Sequence, residues 1–147
     1  MTQLVVAAAI IVVAVVVGLV LRSRHSVAAP TQPGHALPAQ LDRADFPVRT
    51  PWLVVVFSSS TCHSCADVVA KSTVLACDQV GVYDVEYTAH KALHMKYAIE
   101  AVPIVVIADV DGVVHAGFAG PVTATDLWAA VAEVRNPGSS PEPDLGR

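Results

Sequence analysis

Positive charge is scarce in this sequence. Lysine and arginine number 9 against 13 aspartates and glutamates, which leaves a formal net charge of −4 at pH 7. Proteins that bind nucleic acids place clustered basic side chains against the phosphate backbone. The composition therefore gives no indication of a nucleic-acid partner.

Charged and strongly polar side chains are absent from the stretch Leu4 to Leu21. As a helix rising about 1.5 Å per residue, this stretch would be roughly 27 Å long, close to the ~30 Å core of a bilayer. We expect residues 1–25 to form an N-terminal transmembrane anchor in which residues 4–21 reach across the membrane. A cleaved secretory signal is the alternative, because residues 27–29 resemble a cleavage motif, but the apolar run is long and lacks a basic leader.

Basic residues close to a membrane-spanning helix tend to stay in the cytoplasm. Arg22 and Arg24 follow the apolar stretch, whereas only the terminal amine precedes it. The sequence therefore predicts a single-pass membrane protein whose main domain faces the cytoplasm. Because this inference rests on two charges, the extracytoplasmic orientation stays open as the alternative.

Composition also divides the rest of the chain. Three prolines in residues 26–40 prevent a continuous helix or central strand, which predicts a linker that holds the domain away from the membrane. Residues 136–147 show no hydrophobic period and are predicted to be a disordered tail. We expect one folded domain between them, at residues 41–135.

The apolar pattern of this domain predicts alternating strands and helices. Short β-branched runs indicate buried strands, helical spacing indicates amphipathic helices, and Asp111-Gly112 is typical of a hairpin turn. Thr123 with Asp126 resembles a capping box at the start of the last helix. The predicted strands are 53–57, 81–87, 104–108 and 113–118, and the predicted helices are 66–77, 89–97 and 123–134. This order indicates an α/β fold with a mixed central sheet and helices on both faces.

Two cysteines, Cys62 and Cys65, stand where the first strand gives way to a helix. Their spacing allows a small disulfide, and the unpaired backbone N–H groups of a first helical turn favour a thiolate. We expect Cys62 to be the nucleophile. Cys65, one turn into the helix and on its apolar side, is expected to be less exposed and to resolve a mixed disulfide.

The two residues between the cysteines are expected to tune them. A protonated His63 would further favour the thiolate and raise the reduction potential, and the Ser64 hydroxyl would donate a hydrogen bond to either sulfur. The alternative for His63 is a solvated side chain that changes little.

A single C-x-x-C also occurs in zinc sites. His90 and His94 could complete a Cys2His2 set, but their distance from Cys65 is longer than in ordinary fingers and the chain has no second C-x-x-C. We therefore predict no metal and no cofactor, with both histidines on a solvated helix face. Haem attachment is excluded because Ala66, not histidine, follows Cys65.

Cys77 is the third cysteine. Twelve residues along a continuous helix would place it about 18 Å from Cys65, too far for a disulfide. We expect a small buried core residue at the helix end, and a regulatory or intermolecular thiol is the alternative.

Residues 45–135 resemble the thioredoxin family. The matching segments are LVVVF followed by Cys62-His63-Ser64-Cys65, then KYAIEAVPIVVIADVDGVV with Val102-Pro103, then Gly117 to Gly120. Thioredoxins carry a cis proline opposite the cysteine pair, and Pro103 stands at its place. The resemblance implies a thioredoxin-like fold in which Cys62 attacks a disulfide and Cys65 resolves it. It also implies that Pro103 keeps the facing loop close, that the Val102 backbone binds an extended substrate, and that Gly120 leaves room for it.

The sequence departs from the family at four positions near the pair. Thr61 stands where thioredoxins usually have tryptophan, and Ser58 takes the other aromatic place of that loop. Val56 replaces the buried acid that helps proton transfer from the resolving thiol, and Ala70 replaces a proline of the helix. His63 and a water are candidates for the missing proton acceptor.

Together these features predict a membrane-tethered thiol–disulfide oxidoreductase that acts on protein disulfides and exchanges electrons with a donor or acceptor, either a reductase or a membrane redox protein. In the reducing cytoplasm it would be a reductant, whereas outside it would be an oxidase, an isomerase or a reductase of cytochrome maturation. The alternative is a binding module on the thioredoxin scaffold without turnover, with a metal-holding or assembly role.

Overall fold

The computed structural model describes residues 37–140 and 144–146. Four strands and three α-helices follow a short 3-10 helix at Arg43–Asp45. In chain order they are β1 (Trp52–Ser58), α1 (Cys65–Thr73), β2 (Val80–Glu86), α2 (Lys91–Lys96), β3 (Ile104–Ala108), β4 (Val114–Ala119) and α3 (Ala124–Arg135). The predicted order of elements is confirmed.

The strands form one mixed sheet in the order β2-β1-β3-β4. β1 runs parallel to β2, with Val56 opposite Asp84 and Ser58 opposite Glu86, and antiparallel to β3. β3 and β4 form the hairpin that Asp111-Gly112 predicted. β1 is an interior strand because it has a partner on each side. The loop that follows its carboxyl end therefore leaves from the middle of the sheet.

Residues of β1 alternate between two cores, as the period of a strand requires. Val54 and Val56 enter the first core with α1 and α3, and Val55 and Phe57 enter the second core with α2 and the segment before β1. The predicted apolar stripe of the last helix is buried in the first core, with Leu127, Ala130, Val131 and Val134. Helices therefore cover both faces of the sheet, as predicted.

The prediction that α1 continues to Cys77 and buries this cysteine was wrong. α1 ends at Thr73, and Cys77 is an exposed free thiol that pairs with Val80 through the backbone. The hydroxyls of Ser72 and Thr73 donate to carbonyls one turn back, both at 2.8 Å. Such back-bonding and β-branched residues weaken a helix, so the chain turns before it reaches Cys77.

The prediction that His90 and His94 share a solvated helix face was also wrong. α2 is short, and His94 is only 2% exposed, with its Nε2 at 2.8 Å from the Val85 carbonyl oxygen. His90 is partly buried, and its Nε2 lies 3.1 Å from the Tyr83 hydroxyl. α2 packs against β2, so the histidines face aromatic rings of the second core rather than water.

Both ends of the described chain contact the sheet. Leu37, in the predicted linker, packs against the second core, and the Val114 N–H donates to the Ala39 carbonyl at 3.0 Å. Leu145, in the predicted tail, packs against the first core, and the Gly117 N–H donates to the Gly146 carbonyl at 2.6 Å. The sequence pattern gave no sign of these contacts.

The predicted anchor, residues 1–25, and residues 26–36 of the predicted linker lie outside the described residues. In residues 37–140 and 144–146, the structure contains no helix of the length and apolar character that crossing a membrane requires.

Candidate functional site

The cysteine pair lies just beyond the carboxyl end of β1. Residues 59–64 form a tight loop in which the Cys62 N–H donates to the Ser59 carbonyl at 3.0 Å and the Cys65 N–H donates to the Cys62 carbonyl at 3.3 Å. α1 begins at Cys65 itself, with Ser64 as its N-cap residue. Cys62 therefore precedes the helix and Cys65 is its first residue, whereas we expected Cys65 one turn into the helix.

Cys62 and Cys65 form a disulfide, with their Cα atoms 5.4 Å apart. Cys65 is only 2% exposed, and Cys62 is partly exposed. This is the order of exposure expected for a nucleophile and a resolving thiol. The Ser64 hydroxyl oxygen lies 3.7 Å from the Cys62 Sγ, which places it to bond with this sulfur, while His63 is exposed.

Val102 and Pro103 form the loop that faces the disulfide. Their peptide bond is cis, as the resemblance implied. The Val102 carbonyl oxygen lies 3.9 Å from the Cys62 Sγ, so a reduced Cys62 thiol would have an acceptor there. The structure thus brings residues forty positions apart to the same sulfur.

Gly120 lies beside this loop, and its N–H donates to the Pro103 carbonyl at 2.8 Å. Its φ of +90° is a backbone conformation that glycine adopts without the Cβ clash of other residues. The loop and Gly120 border a cleft of about 200 Å³ lined by Ser64, Ala101, Val102, Pro103, Ile104, Ala119, Gly120 and Pro121. All three predicted substrate-binding residues, Val102, Pro103 and Gly120, therefore line one cleft beside the disulfide.

A larger cavity, of about 360 Å³, opens on the other side of the disulfide. It is lined by Ser58, Ser59, Ser60, Cys62, Cys65, Ala66, Val69, Ala70, Asp84 and Glu86. Small side chains line it where the thioredoxin family carries larger ones, at Ser58 and Ala70. Thr61 lies in the loop of residues 59–64 and is exposed, with its hydroxyl oxygen 3.0 Å from that of Ser59.

Two carboxylates of this cavity were not identified from the sequence. Asp84 accepts a hydrogen bond of 2.6 Å from the buried Ser58 hydroxyl. Glu86 accepts hydrogen bonds from the Ala89 and Ser60 N–H groups, and these bonds hold the pKa of its carboxyl below the usual value. The sequence does contain a pattern that indicates them: Asp84 and Glu86 are two residues apart in a strand, so their side chains point to the same face.

The zinc alternative finds no support in the arrangement of these side chains. Within the part of the chain that the structure describes, no group of three or more histidine, cysteine, aspartate or glutamate side chains is placed to hold a metal. His94 is directed at the Val85 carbonyl, on the face of the sheet opposite to the cavity of Cys65.

Two solved structures share this arrangement of strands and helices. A malarial protein is 15% identical, with 57% of this chain and 97% of that chain covered and a TM-score of 0.52. Thioredoxin-2, a component of the malaria parasite protein secretion machinery, is 16% identical, with 58% and 85% covered and a TM-score of 0.52. No protein-family profile matches the sequence, and no curated protein matches it.

The chain therefore has a thioredoxin-like fold. Its mixed four-stranded sheet and its helices place a cysteine pair at disulfide distance after the first strand, as in a C-x-x-C site. The resemblance drawn from the sequence is confirmed at the level of the fold.

Proposed function

We propose that this protein is a membrane-tethered thiol–disulfide oxidoreductase that exchanges electrons with protein disulfides. One observation carries the proposal: the Cys62–Cys65 disulfide lies at the surface between the cis Val102–Pro103 loop and an open cavity. A disulfide buried inside the core would be inaccessible to another protein. Here the more exposed sulfur, that of Cys62, is the one beside the cleft.

The reaction follows from thiol–disulfide exchange. In the reduced protein the Cys62 thiolate attacks one sulfur of the substrate disulfide, forms a mixed disulfide, and releases the other substrate sulfur as a thiolate that takes up a proton. The Cys65 thiolate then attacks the Cys62 sulfur and releases the second substrate thiolate. Two electrons pass to the substrate, and an electron donor must reduce the Cys62–Cys65 disulfide before the next turnover.

The cleft beside Cys62 is the proposed substrate site. An extended segment of the substrate would lie along the Val102 backbone, with its disulfide over Cys62. Gly120, which lines the cleft and has no side chain, would leave space for this segment. Ser64 and His63 would adjust the stability of the Cys62 thiolate.

Reduction of insulin disulfides by the full chain tests the reaction. With dithiothreitol as electron donor, we expect turnover by the Cys77→Ser protein and none after Cys62→Ser. Cys65→Ser should instead accumulate a mixed disulfide with insulin, visible on a non-reducing gel, because nothing resolves it. Turnover that survives Cys62→Ser would refute the proposal.

Membrane tethering through residues 4–21 and a cytoplasmic domain are part of the same proposal. The support is the uncharged apolar stretch followed by Arg22 and Arg24. In intact cells that carry the Cys77→Ser protein, a membrane-impermeant thiol reagent should label Cys62 only after the cells are broken. Labelling of unbroken cells would place the domain outside, and recovery from the soluble fraction would refute the anchor.

A further inference from the structure

Oxidation of the reduced pair requires a proton acceptor for Cys65. Only the thiolate attacks a disulfide, and Cys65 is only 2% exposed, so its proton must leave through the cavity that it lines. An acceptor must lie within hydrogen-bond reach, directly or through one water. The candidates are therefore the titratable side chains that share the cavity of Cys65.

The register of the sheet places three polar side chains in this cavity. Val56 faces the first core and α1. Side chains two apart in a strand share a face, and so do partners in register, so Ser58, Asp84 and Glu86 lie on the same side as Val56. Cys65 begins the helix that covers this side. All except Val56 line the same cavity of about 360 Å³.

Among the described residues that line the cavity, two besides the cysteines have ionisable side chains, Asp84 and Glu86 from β2. Apart from the two cysteines, the described lining residues from β1, the following loop and α1 are serine, alanine and valine. Glu86 already uses one oxygen for the Ser60 N–H, at 3.1 Å, and the other for the Ala89 N–H, at 3.0 Å. These bonds stabilise the Glu86 carboxylate and make it a weaker base.

We propose that Asp84 is the proton acceptor for the Cys65 thiol, acting through a water in the cavity, and that Ser58 is the positioning residue that orients its carboxylate. Ser58 is 3% exposed and donates to the Asp84 Oδ1 at 2.6 Å, which fixes one oxygen. The cavity has the volume and the polar partners that bridging waters need.

This assignment rests on the proposed function and completes its second step. The Cys65 S–H passes its proton through the water to the Asp84 carboxylate. The resulting Cys65 thiolate attacks the Cys62 Sγ, the Cys65–Cys62 bond forms, and the bond from Cys62 to the substrate sulfur breaks. The substrate thiolate leaves with that electron pair and takes up a proton. Asp84 then returns its proton to water.

Reaction with DTNB, an aromatic disulfide with a coloured thiolate product, separates the two steps. One equivalent is added to the reduced full-length Cys77→Ser protein, so that the exposed third thiol does not interfere. The first thiolate is released when Cys62 attacks, and the second when Cys65 resolves the mixed disulfide. The second release is intramolecular, so its rate does not depend on protein concentration.

We expect Asp84→Asn to leave the first release unchanged and to slow the second by about 100-fold near neutral pH, the lower end of the range for general base catalysis. The loss should shrink as the pH rises, because hydroxide then forms the Cys65 thiolate without a base. Asp84→Glu should recover part of the rate, and Ser58→Ala should slow the second release by about fivefold. A purely structural role would slow the reaction equally at every pH.

Glu86→Gln is the matched control, since it removes the same charge from the same cavity. It should leave the pH profile of the second release unchanged, and an equal slowing would show that cavity charge, not a base at Asp84, matters. An unchanged second release in Asp84→Asn would refute the assignment. If the parent Cys77→Ser protein shows no second release, the proposed function itself fails. If Asp84→Asn does not fold, the rate and pH dependence of the second release in Asp84→Glu and Ser58→Ala test the assignment instead.

Discussion

At the scale of single residues, the two cysteines differ in what covers them. Cys65 is the first residue of α1 and is 2% exposed, whereas Cys62 lies in the loop before α1 with its sulfur near Ser64 and Val102. The side chain between them, His63, is exposed. An influence of this side chain on the pair would therefore be electrostatic and partly screened by water.

We expect His63→Gly to lower the reduction potential of the pair by about 10 to 30 mV, because a protonated imidazole favours the Cys62 thiolate and so the reduced form. Equilibration with dithiothreitol buffers near pH 6 measures the shift. Equal potentials near pH 6 would show that His63 is only a solvated side chain.

Cys77 is the third thiol, and it is exposed. A maleimide added to the folded, oxidised protein without reductant should label Cys77 alone, because the other two cysteines form a disulfide. Cys77→Ser should abolish this labelling, and prior reduction should add Cys62. Labelling of Cys77 only after denaturation would contradict its exposure. Mass spectrometry of the peptides identifies each site.

At the scale of elements, the parallel pairing of β1 and β2 builds one wall of the site. The pairing places Glu86 opposite Ser58, so that β2 holds the loop that carries Cys62. Glu86 bonds to the Ser60 N–H on the loop side and to the Ala89 N–H on the side of its own turn. The loop is therefore tied to β2 as well as to β1 and α1.

Acid should weaken the hydrogen bonds that Glu86 accepts from the Ser60 and Ala89 N–H groups. The hydrogen bonds from Ala89 and Ser60 lower the pKa of Glu86 from its usual 4.5. A lowered folded-state pKa gives stabilisation that is present above the unfolded pKa and is lost as the pH falls through the folded one. We expect the amide protection of Ser60 and Ala89 to fall below about pH 4. Hydrogen exchange corrected for intrinsic rates measures it.

Glu86→Gln is the control for this effect. Its amide has no charge to lose, so the protection of Ser60 should no longer change with pH in the acid range. Protection of Ser60 in the parent protein that is equal at about pH 3 and pH 7 would contradict the role assigned to Glu86.

At the scale of the whole molecule, the sheet lies between two cores, and both ends of the described chain reach β4. Gly117 is where they meet. A Cβ at Gly117 would lie 2.9 Å from the Leu37 Cδ1 and 2.9 Å from the Val105 carbonyl oxygen, and the Gly117 N–H donates to the Gly146 carbonyl. Close approach of three segments therefore requires glycine at this position.

We expect Gly117→Ala to lower the free energy of unfolding by about 1 to 3 kcal/mol, since the Val105 carbonyl belongs to a paired strand and cannot move away. Urea denaturation measures the change. Adding Leu37→Ala should recover only part of the loss, because it removes one of the two close contacts. A Gly117→Ala protein as stable as its parent would contradict the packing described.

Local sequence by itself determined the strands, the hairpin turn and the cysteine pair. Runs of β-branched residues, Asp111-Gly112 and the C-x-x-C spacing act over a few neighbouring residues, so the order of elements could be predicted. The pairing of Val102-Pro103 with the cysteines followed from the resemblance to thioredoxins. The structure confirms the mixed sheet and the cis bond.

The surroundings of the disulfide depend on contacts between segments that are distant in the sequence. Packing of α2 on β2 buries His94, and the early end of α1 exposes Cys77, although their local patterns indicated the reverse. The register of β1 with β2 brings Asp84 to Ser58, twenty-six positions away, and both to the cavity of Cys65. Helix ends and strand register are set by competition among distant contacts, which a local pattern of residues does not contain.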